Sequence, residues 1–159
     1  IGTRPDCVSD PVLDILQAYT SNYLIWIEYG LQSANDKTLK LINRGHNFQR
    51  FKEAIEDTSN RGIKICVHVI LGLPHESRRD MLHTAHTIAN LGVDGIKLHL
   101  LYVVKGTQEE DRVKGVIFKG HVLGVKSLEL DQMIVALDSH RAAGTIVHQI
   151  VCNAIANTF

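Results

Sequence analysis

Ionisable side chains interrupt three apolar segments of this sequence that are typical of buried strands. The residues concerned are Glu28, His68, Lys97 and His99. An ionisable group on a strand buried on both faces costs free energy unless it is paired or lines a cavity. Carboxylate, imidazole and amine groups are those that perform acid–base and nucleophilic catalysis. Because three strands show the same interruption, the pattern favours a common site over three separate interior polar residues.

The spacing of these residues predicts that they face the same way. Side chains alternate across a strand, so residues two apart share a face as long as the backbone stays extended. The predicted shared faces are Glu28, Gly30 and Gln32 on the first strand, His68, Ile70 and Gly72 on the second, and Lys97 and His99 on the third. All lie toward the carboxyl halves of their strands, where parallel α/β folds build their active sites.

Helical segments separate the strands that carry these residues. The predicted strands are 23–30, 63–71, 96–104 and 146–151. The first predicted helix begins at Ser9-Asp10-Pro11 and carries the apolar stripe Val12, Leu13, Leu16 and Tyr19, and a short helix begins at Asn35. Further helices are predicted over 48–61, 76–91 and 127–143, with a loop at 105–126. Strands that are apolar on both faces and alternate with helices indicate a parallel sheet covered by helices. We expect about four βα units in a single α/β domain over residues 1–159, fewer than a closed eight-stranded barrel requires. Two architectures are compatible with this number of units, a partial barrel and an open sheet.

Composition excludes several classes of partner. The 159 residues carry 17 Lys and Arg and 17 Asp and Glu, so a net charge of zero gives no electrostatic basis for binding nucleic acid or an anionic membrane. No apolar run approaches the roughly 20 residues that a membrane span needs. The three cysteines, Cys7, Cys66 and Cys152, form no short metal-binding pattern, and their sparse, odd number favours a reducing compartment such as the cytoplasm. The opening Ile1-Gly2-Thr3 predicts the end of a strand in a piece of a longer protein.

Lys97 has two chemical interpretations. Inside an apolar strand it could be the desolvated amine nucleophile of an aldolase-like barrel, which forms a Schiff base with a carbonyl substrate. More often such a lysine pairs with a carboxylate, and Glu28 is the obvious partner here. A third hypothesis is a non-catalytic, truncated barrel that acts as a binding module.

Four motifs occur in an order that resembles one enzyme superfamily. They are Thr3-Arg4-Pro5-Asp6, Glu28-Tyr29-Gly30-Leu31-Gln32-Ser33, Ile42-Asn43-Arg44-Gly45-His46 and Ile70-Leu71-Gly72-Leu73-Pro74-His75-Glu76. The chain resembles the middle and carboxyl-terminal part of a radical S-adenosylmethionine enzyme of the YhcC-type branch. That branch is related to the Elongator catalytic subunit and to oxygen-independent coproporphyrinogen oxidase. The resemblance is strong over residues 1–107 and weak beyond them.

The resemblance implies a partial TIM-like (β/α) barrel, an S-adenosylmethionine site and a [4Fe–4S] cluster that together make a radical used to abstract hydrogen from substrate. It implies that Gln32, joined by Glu28, binds the ribose and that Arg44 grips the cofactor's carboxylate, for which a guanidinium fork is well suited. Residues implied to pack on the adenine are Ile70, Gly72 and Leu73, and 102–105 would close the pocket. Residues implied on the substrate side, as catalytic groups, are His68, Lys97 and His99.

The chain departs from the superfamily pattern at the cluster. The three cluster-ligating cysteines lie upstream in the family, and by their spacing Cys7, Cys66 and Cys152 do not replace them. Because the cluster needs thiolates gathered at one place, we expect this chain alone to be inactive and its parent to be an oxidoreductase or transferase. A barrel lacking its first strands also exposes a parallel edge, which favours self-association.

Overall fold

Residues 1–101, which the computed structural model describes, form a parallel four-stranded sheet in the order β1-β2-β3-β4. The elements are β1 Gly2–Thr3, a 3-10 turn Pro5–Cys7, α1 Asp10–Tyr19, β2 Trp26–Gln32, α2 Asp36–Leu41, α3 Phe48–Thr58, β3 Lys64–Leu71, α4 Arg78–Ala89 and β4 Gly95–Leu100. Sequential parallel strands joined by helices are the arrangement of a barrel segment. The predicted fold class, a partial α/β barrel, is confirmed.

The helices pack against one face of the sheet. Alternate residues of β2, β3 and β4 point into this core, and they include Ile27, Tyr29, Val67, Leu71 and Ile96, each no more than 2 % exposed. They meet the apolar faces of α1, α3 and α4. The intervening strand residues lie on the other face, and three of them, Glu28, His68 and Lys97, are only partly buried. This alternation is what leaves one face of the sheet free for a site.

Side-chain caps define where three of the helices begin. The Asn35 carboxamide accepts a hydrogen bond from the Lys37 amide, and Asn47 accepts one from Arg50. Ser77 and Asp80 form a reciprocal capping box at the start of α4. Such caps satisfy amides that have no partner inside the helix. Helix α1 begins at Asp10 as predicted, but the side chain of Ser9 makes no capping bond.

The first predicted strand began three residues too early. Tyr23 and Leu24 are 64% and 73% exposed and precede the strand, which begins at Trp26 and continues to Gln32. The strand begins at Trp26 because that is the first residue of β2 to pair with β3, opposite Lys64. The predicted stripe on α1 was also partly wrong. Leu13 is buried and Leu16 packs on the core, whereas Val12 and Tyr19 are exposed.

Other boundaries differ by a few residues. Helix α3 ends at Thr58 and α4 begins at Arg78, so Glu76 precedes that helix. The end of the predicted third strand, the loop 105–126, the helix 127–143, the strand 146–151 and Cys152 lie outside the described residues. Among the helices of residues 1–101, none combines the length and apolarity required to cross a membrane.

Candidate functional site

The carboxyl end of β2 bends around Gly30. The pairing with β3 shifts between Gly30 and Gln32, and Gln32 has a positive φ of 78°, so the strand is not extended to its end. A Cβ atom on Gly30 would lie 2.5 Å from Arg44 Nη2 and 2.9 Å from Gln32 Nε2. The space that a side chain would fill is therefore occupied by a guanidinium and an amide. Gln32 reaches the face of Gly30 through this bulge and not through strand alternation.

Arg44 is anchored along one edge of its guanidinium. Its Nη2 donates a hydrogen bond to the Gly30 carbonyl at 2.6 Å, and its Nε lies 3.2 Å from His46 Nε2. If His46 Nδ1 donates to the Asn47 carbonyl, its Nε2 is the acceptor that Nε requires. Nη1 makes no hydrogen bond with any residue in the described part of the chain. Burial, followed by the positive charge of Arg4, lowers the pKa of this guanidinium from its ordinary high value.

The first and third motifs contact each other beside Arg44. The Arg4 guanidinium, paired with Asp6, lies 3.3 Å from where a Cβ of Gly45 would be. A glycine at position 45 thus lets the Arg4 side chain lie against the turn that carries Arg44. An open cleft of about 530 Å³ adjoins this turn and is lined by Asp36, Leu39, Lys40, Arg44, Gly45, His46, Asn47 and Arg50.

Four ionisable side chains form a continuous polar chain across β2, β3 and β4. Lys97 Nζ lies 2.6 Å from Glu28 Oε2, and His68 Nε2 lies 2.7 Å from the same oxygen. His68 Nδ1 is in turn 3.2 Å from His99 Nε2, with the two rings 4.9 Å apart. The structure therefore brings together the ionisable residues that interrupt the three strands. The pairing of Lys97 with Glu28, one of the two interpretations of that lysine, is also confirmed.

The charges of this polar chain are set by its neighbours. Hydrogen bonding from Lys97 lowers the pKa of the Glu28 carboxyl, and His68 contributes in the same direction, although burial opposes both. Burial lowers the pKa of His99, and the charges of His68 and Lys97 lower it further. Glu28 is thus ionised and His99 neutral at neutral pH. Burial and the nearby Glu28 charge raise the pKa of the Cys66 thiol, which keeps that thiol protonated.

The turn after β3 is tied to the turn after β2 by the partly buried carboxyl group of Glu76. Gly72 has a φ of 77°, where glycine is strongly favoured, and Leu73 is buried below it. The Ser33 hydroxyl donates to Glu76 Oε1 at 2.5 Å while accepting from the Asn35 amide. Burial raises the pKa of Glu76. Sequence reasoning missed the Ser33–Glu76 pair, although both residues stand inside the quoted motifs, at the ends of their turns.

The described cysteines are not placed for a metal cluster. Cys7 is exposed near the start of the chain and Cys66 is buried in β3. Within residues 1–101 no group of three His, Cys, Asp or Glu side chains is arranged to hold a metal ion. The polar chain at Glu28 is extended from residue to residue, so its atoms do not converge on one point.

Comparison with known proteins identifies the family. Residues 1–88, more than half of the chain, match the radical SAM superfamily. The chain belongs to this superfamily. It is 45% identical over 129 residues to protein YhcC of Escherichia coli K12, covering 77% of this chain and 42% of that protein. The predicted superfamily and its YhcC-type branch are therefore confirmed.

Solved structures support the same fold. The chain is similar to the archaeal Elp3 of Methanocaldococcus infernus, with a TM-score of 0.70 and 24% identity over 94% of this chain and 34% of that one. It is also similar to coproporphyrinogen III oxidase of Escherichia coli, a radical SAM enzyme, with a TM-score of 0.67, 19% identity and coverage of 88% and 32%. At these identities the likeness shows the fold. The chain spans less than half the length of each of these proteins and of YhcC.

Proposed function

We propose that this chain forms the S-adenosylmethionine-binding and substrate-facing part of a YhcC-like radical enzyme, with residues 1–159 as one domain of its barrel. The observation that carries the proposal is the meeting of Arg44 and Gln32 over Gly30 at the end of β2. The family resemblance implied a cofactor role for both side chains, and their proximity at the Gly30 bulge supports the proposal. The superfamily match supplies the class of cofactor.

Arg44 is suited to the amino-acid end of S-adenosylmethionine. Two of its nitrogens are held by Gly30 and His46, which fixes the plane of the guanidinium, while Nη1 has no protein acceptor among the described residues. A carboxylate is the acceptor that such a preorganised donor binds best. Partial burial strengthens the pair because fewer waters compete with it. In this proposal Arg44 binds the cofactor's carboxylate.

The adenosine half is assigned to the ends of β2 and β3. Gln32 offers an amide donor and a carbonyl acceptor for the ribose hydroxyls, and Glu28 Oε1 makes no hydrogen bond with the described residues. Ile70 lies two residues before Gly72 and Leu73 directly after it, and the absence of a side chain on Gly72 lets a flat ring approach the backbone. These residues are proposed to pack on adenine.

The cluster requires ligands that the described residues do not offer. Cys7 and Cys66 lie apart, one exposed and one buried, so we propose that the [4Fe–4S] cluster is held by cysteines of the full-length protein outside this sequence. When bound together, the cluster and S-adenosylmethionine supply one-electron chemistry that can abstract hydrogen. The chain's own contribution is to bind and orient the cofactor and to line the substrate cavity.

His68, Lys97 and His99 are proposed to face the substrate. All three lie on the partly exposed face of the sheet, next to the end of β2. The aldolase-like alternative for Lys97 is disfavoured because a carboxylate at 2.6 Å stabilises the ammonium, whereas Schiff-base formation needs the neutral amine. Borohydride trapping of a carbonyl compound on Lys97 would favour that alternative again.

Binding of S-adenosylmethionine to the full-length protein tests the proposal. We expect calorimetry to show binding by the natural protein and a loss of about 2–5 kcal/mol in Arg44→Ala, because a buried carboxylate is left unpaired. Lys40→Ala is the matched control, since Lys40 is an exposed cation lining the same cleft. If both variants bound S-adenosylmethionine equally more weakly than the natural protein, Arg44 would contribute only its positive charge and not a specific bond to the carboxylate. No binding by any of them would support the non-catalytic barrel.

A further inference from the structure

The hydrogen bonds of the polar chain run in one direction when His68 is neutral. Ionised Glu28 can only accept, so His68 Nε2 must be the donor in their 2.7 Å contact. In a neutral His68 ring, Nδ1 then carries no proton and must accept from His99 Nε2 at 3.2 Å. Neutral His99 consequently has a bare Nδ1. That nitrogen makes no hydrogen bond with any residue of the described part.

We propose that Glu28, His68 and His99 form a directional proton relay whose outer end, His99 Nδ1, takes a proton from an N–H or O–H group of the substrate. The inference rests on the proposed function, since it deepens the role of the substrate-facing residues. The arrangement supplies what such a relay needs, namely an ionised carboxylate, an imidazole bonded to it and a second imidazole bonded to the first.

The proton transfer balances without another reactant. The substrate's proton forms a bond to His99 Nδ1 and leaves its electron pair on the substrate as an anion. The proton on His99 Nε2 passes to His68 Nδ1, so His99 ends neutral as its other tautomer. His68 becomes an imidazolium that still donates to Glu28 through Nε2. The positive charge thus comes to rest beside the carboxylate, where it is best stabilised.

Lys97 has a supporting place in this scheme. Its ammonium bonds the same Glu28 oxygen as His68 and so holds the carboxylate in position. The titratable groups that face the two imidazoles from the neighbouring strands are Glu28 of β2 and Lys97 of β4. Lys97 opposes protonation of the His99 ring while Glu28 favours it. His68 is the ring that bonds the carboxylate directly.

Histidine tautomers measured by NMR test the relay directly. In the full-length protein labelled with ¹⁵N-histidine, we expect His99 to carry its proton on Nε2 at neutral pH. When the histidine pair takes up a proton, the hydrogen-bond geometry predicts that His68 holds it beside Glu28, and that in the same step the His99 proton moves from Nε2 to Nδ1. Signals are assigned through backbone correlations in the natural protein, so the test does not depend on the folding of a variant.

Two results would overturn the relay. One is a His99 ring that carries its proton on Nδ1 at neutral pH, and the other is a His99 ring that becomes doubly protonated before His68. In Glu28→Gln the midpoint of the coupled step should shift to lower pH, whereas His83→Gln, an exposed histidine on α4, should leave it unchanged. S-adenosylmethionine binding measured on the same samples separates the two proposals, because either can fail while the other holds.

Discussion

Lys97 and Glu28, which are 69 residues apart in the chain, form an ion pair of 2.6 Å that crosses over strand β3. Glu28 stands opposite Cys66 and Lys97 stands opposite His68, so the pair runs diagonally over the strand between them. The small side chain of Cys66 leaves room below. The ion pair thus joins β2 and β4, which are not neighbours in the sheet, through side chains alone.

Removing Lys97 should destabilise the fold more than removing a surface lysine. In Lys97→Met the partly buried Glu28 loses one of its two hydrogen-bond donors. We expect the free energy of unfolding to fall by about 1–2 kcal/mol. This is a small loss for an unpaired charge, because solvent screens the partly exposed carboxylate. Lys64→Met is the matched control, since Lys64 on β3 pairs with Asp94 but is 50% exposed. That variant should lose no more than about 1 kcal/mol. Denaturant unfolding of both variants measures the difference, and equal losses would mean that the crossing pair is no stronger than a surface pair.

A methyl group at Gly30 should disturb the cofactor site more than the fold. In Gly30→Ala the new Cβ would lie 2.5 Å from Arg44 Nη2, so the guanidinium must move from its carbonyl anchor. We expect S-adenosylmethionine to bind at least roughly tenfold more weakly, and overpacking to cost about 1–3 kcal/mol of stability. Gly2→Ala is the control, because a Cβ there meets no atom within 4 Å. Unchanged binding in Gly30→Ala would show that the contact of Arg44 with Gly30 does not matter for the cofactor.

At neutral pH the fold should be at least as stable with a glutamine amide at position 76 as with the natural carboxylate. The raised pKa of Glu76 means that the folded state favours the protonated carboxyl group. The stability that Glu76 contributes is therefore fully present below about pH 4.3, the pKa in the unfolded chain, and is lost as pH rises through the pKa in the folded state. Glu76→Gln keeps an acceptor for Ser33 without a charge to bury. We expect it to match or exceed the natural protein by up to about 1 kcal/mol at neutral pH, whereas Glu76→Ala loses about 1–3 kcal/mol.

Unfolding free energies of the three proteins at acid and neutral pH measure this effect. The advantage of Glu76→Gln over the natural protein should grow as pH rises. An advantage that shrinks with rising pH would mean that the carboxylate form is the one bound by Ser33.

Periodicity predicted the larger part of this architecture. A continuous apolar run identified β3, and the alternation of side chains along a strand identified the sheet face of His68, Lys97 and His99. Gly72, which directly follows β3, likewise marked the end of that strand, and it has a positive φ. Local signals of this kind need no knowledge of the rest of the chain.

Features that depend on contacts distant in sequence were not predictable in the same way. The start of β2 depends on its register with β3, and the turn of Gln32 depends on a bulge that no local pattern marks. The Ser33–Glu76 bond joins residues 43 positions apart. The roles assigned to the site residues came from the family resemblance, and they stay predictions until ligand binding is measured.

Discrimination between S-adenosylmethionine and its decarboxylated form tests the central claim most directly. If Arg44 binds the carboxylate, the natural full-length protein should prefer the intact cofactor, and in Arg44→Ala that preference should fall by about 2–5 kcal/mol. Calorimetry with both compounds on both proteins measures this change in preference. Any general effect of the substitution on stability cancels, because it affects the binding of both compounds equally. A preference of the same size in the natural protein and in Arg44→Ala would contradict the assignment of this site.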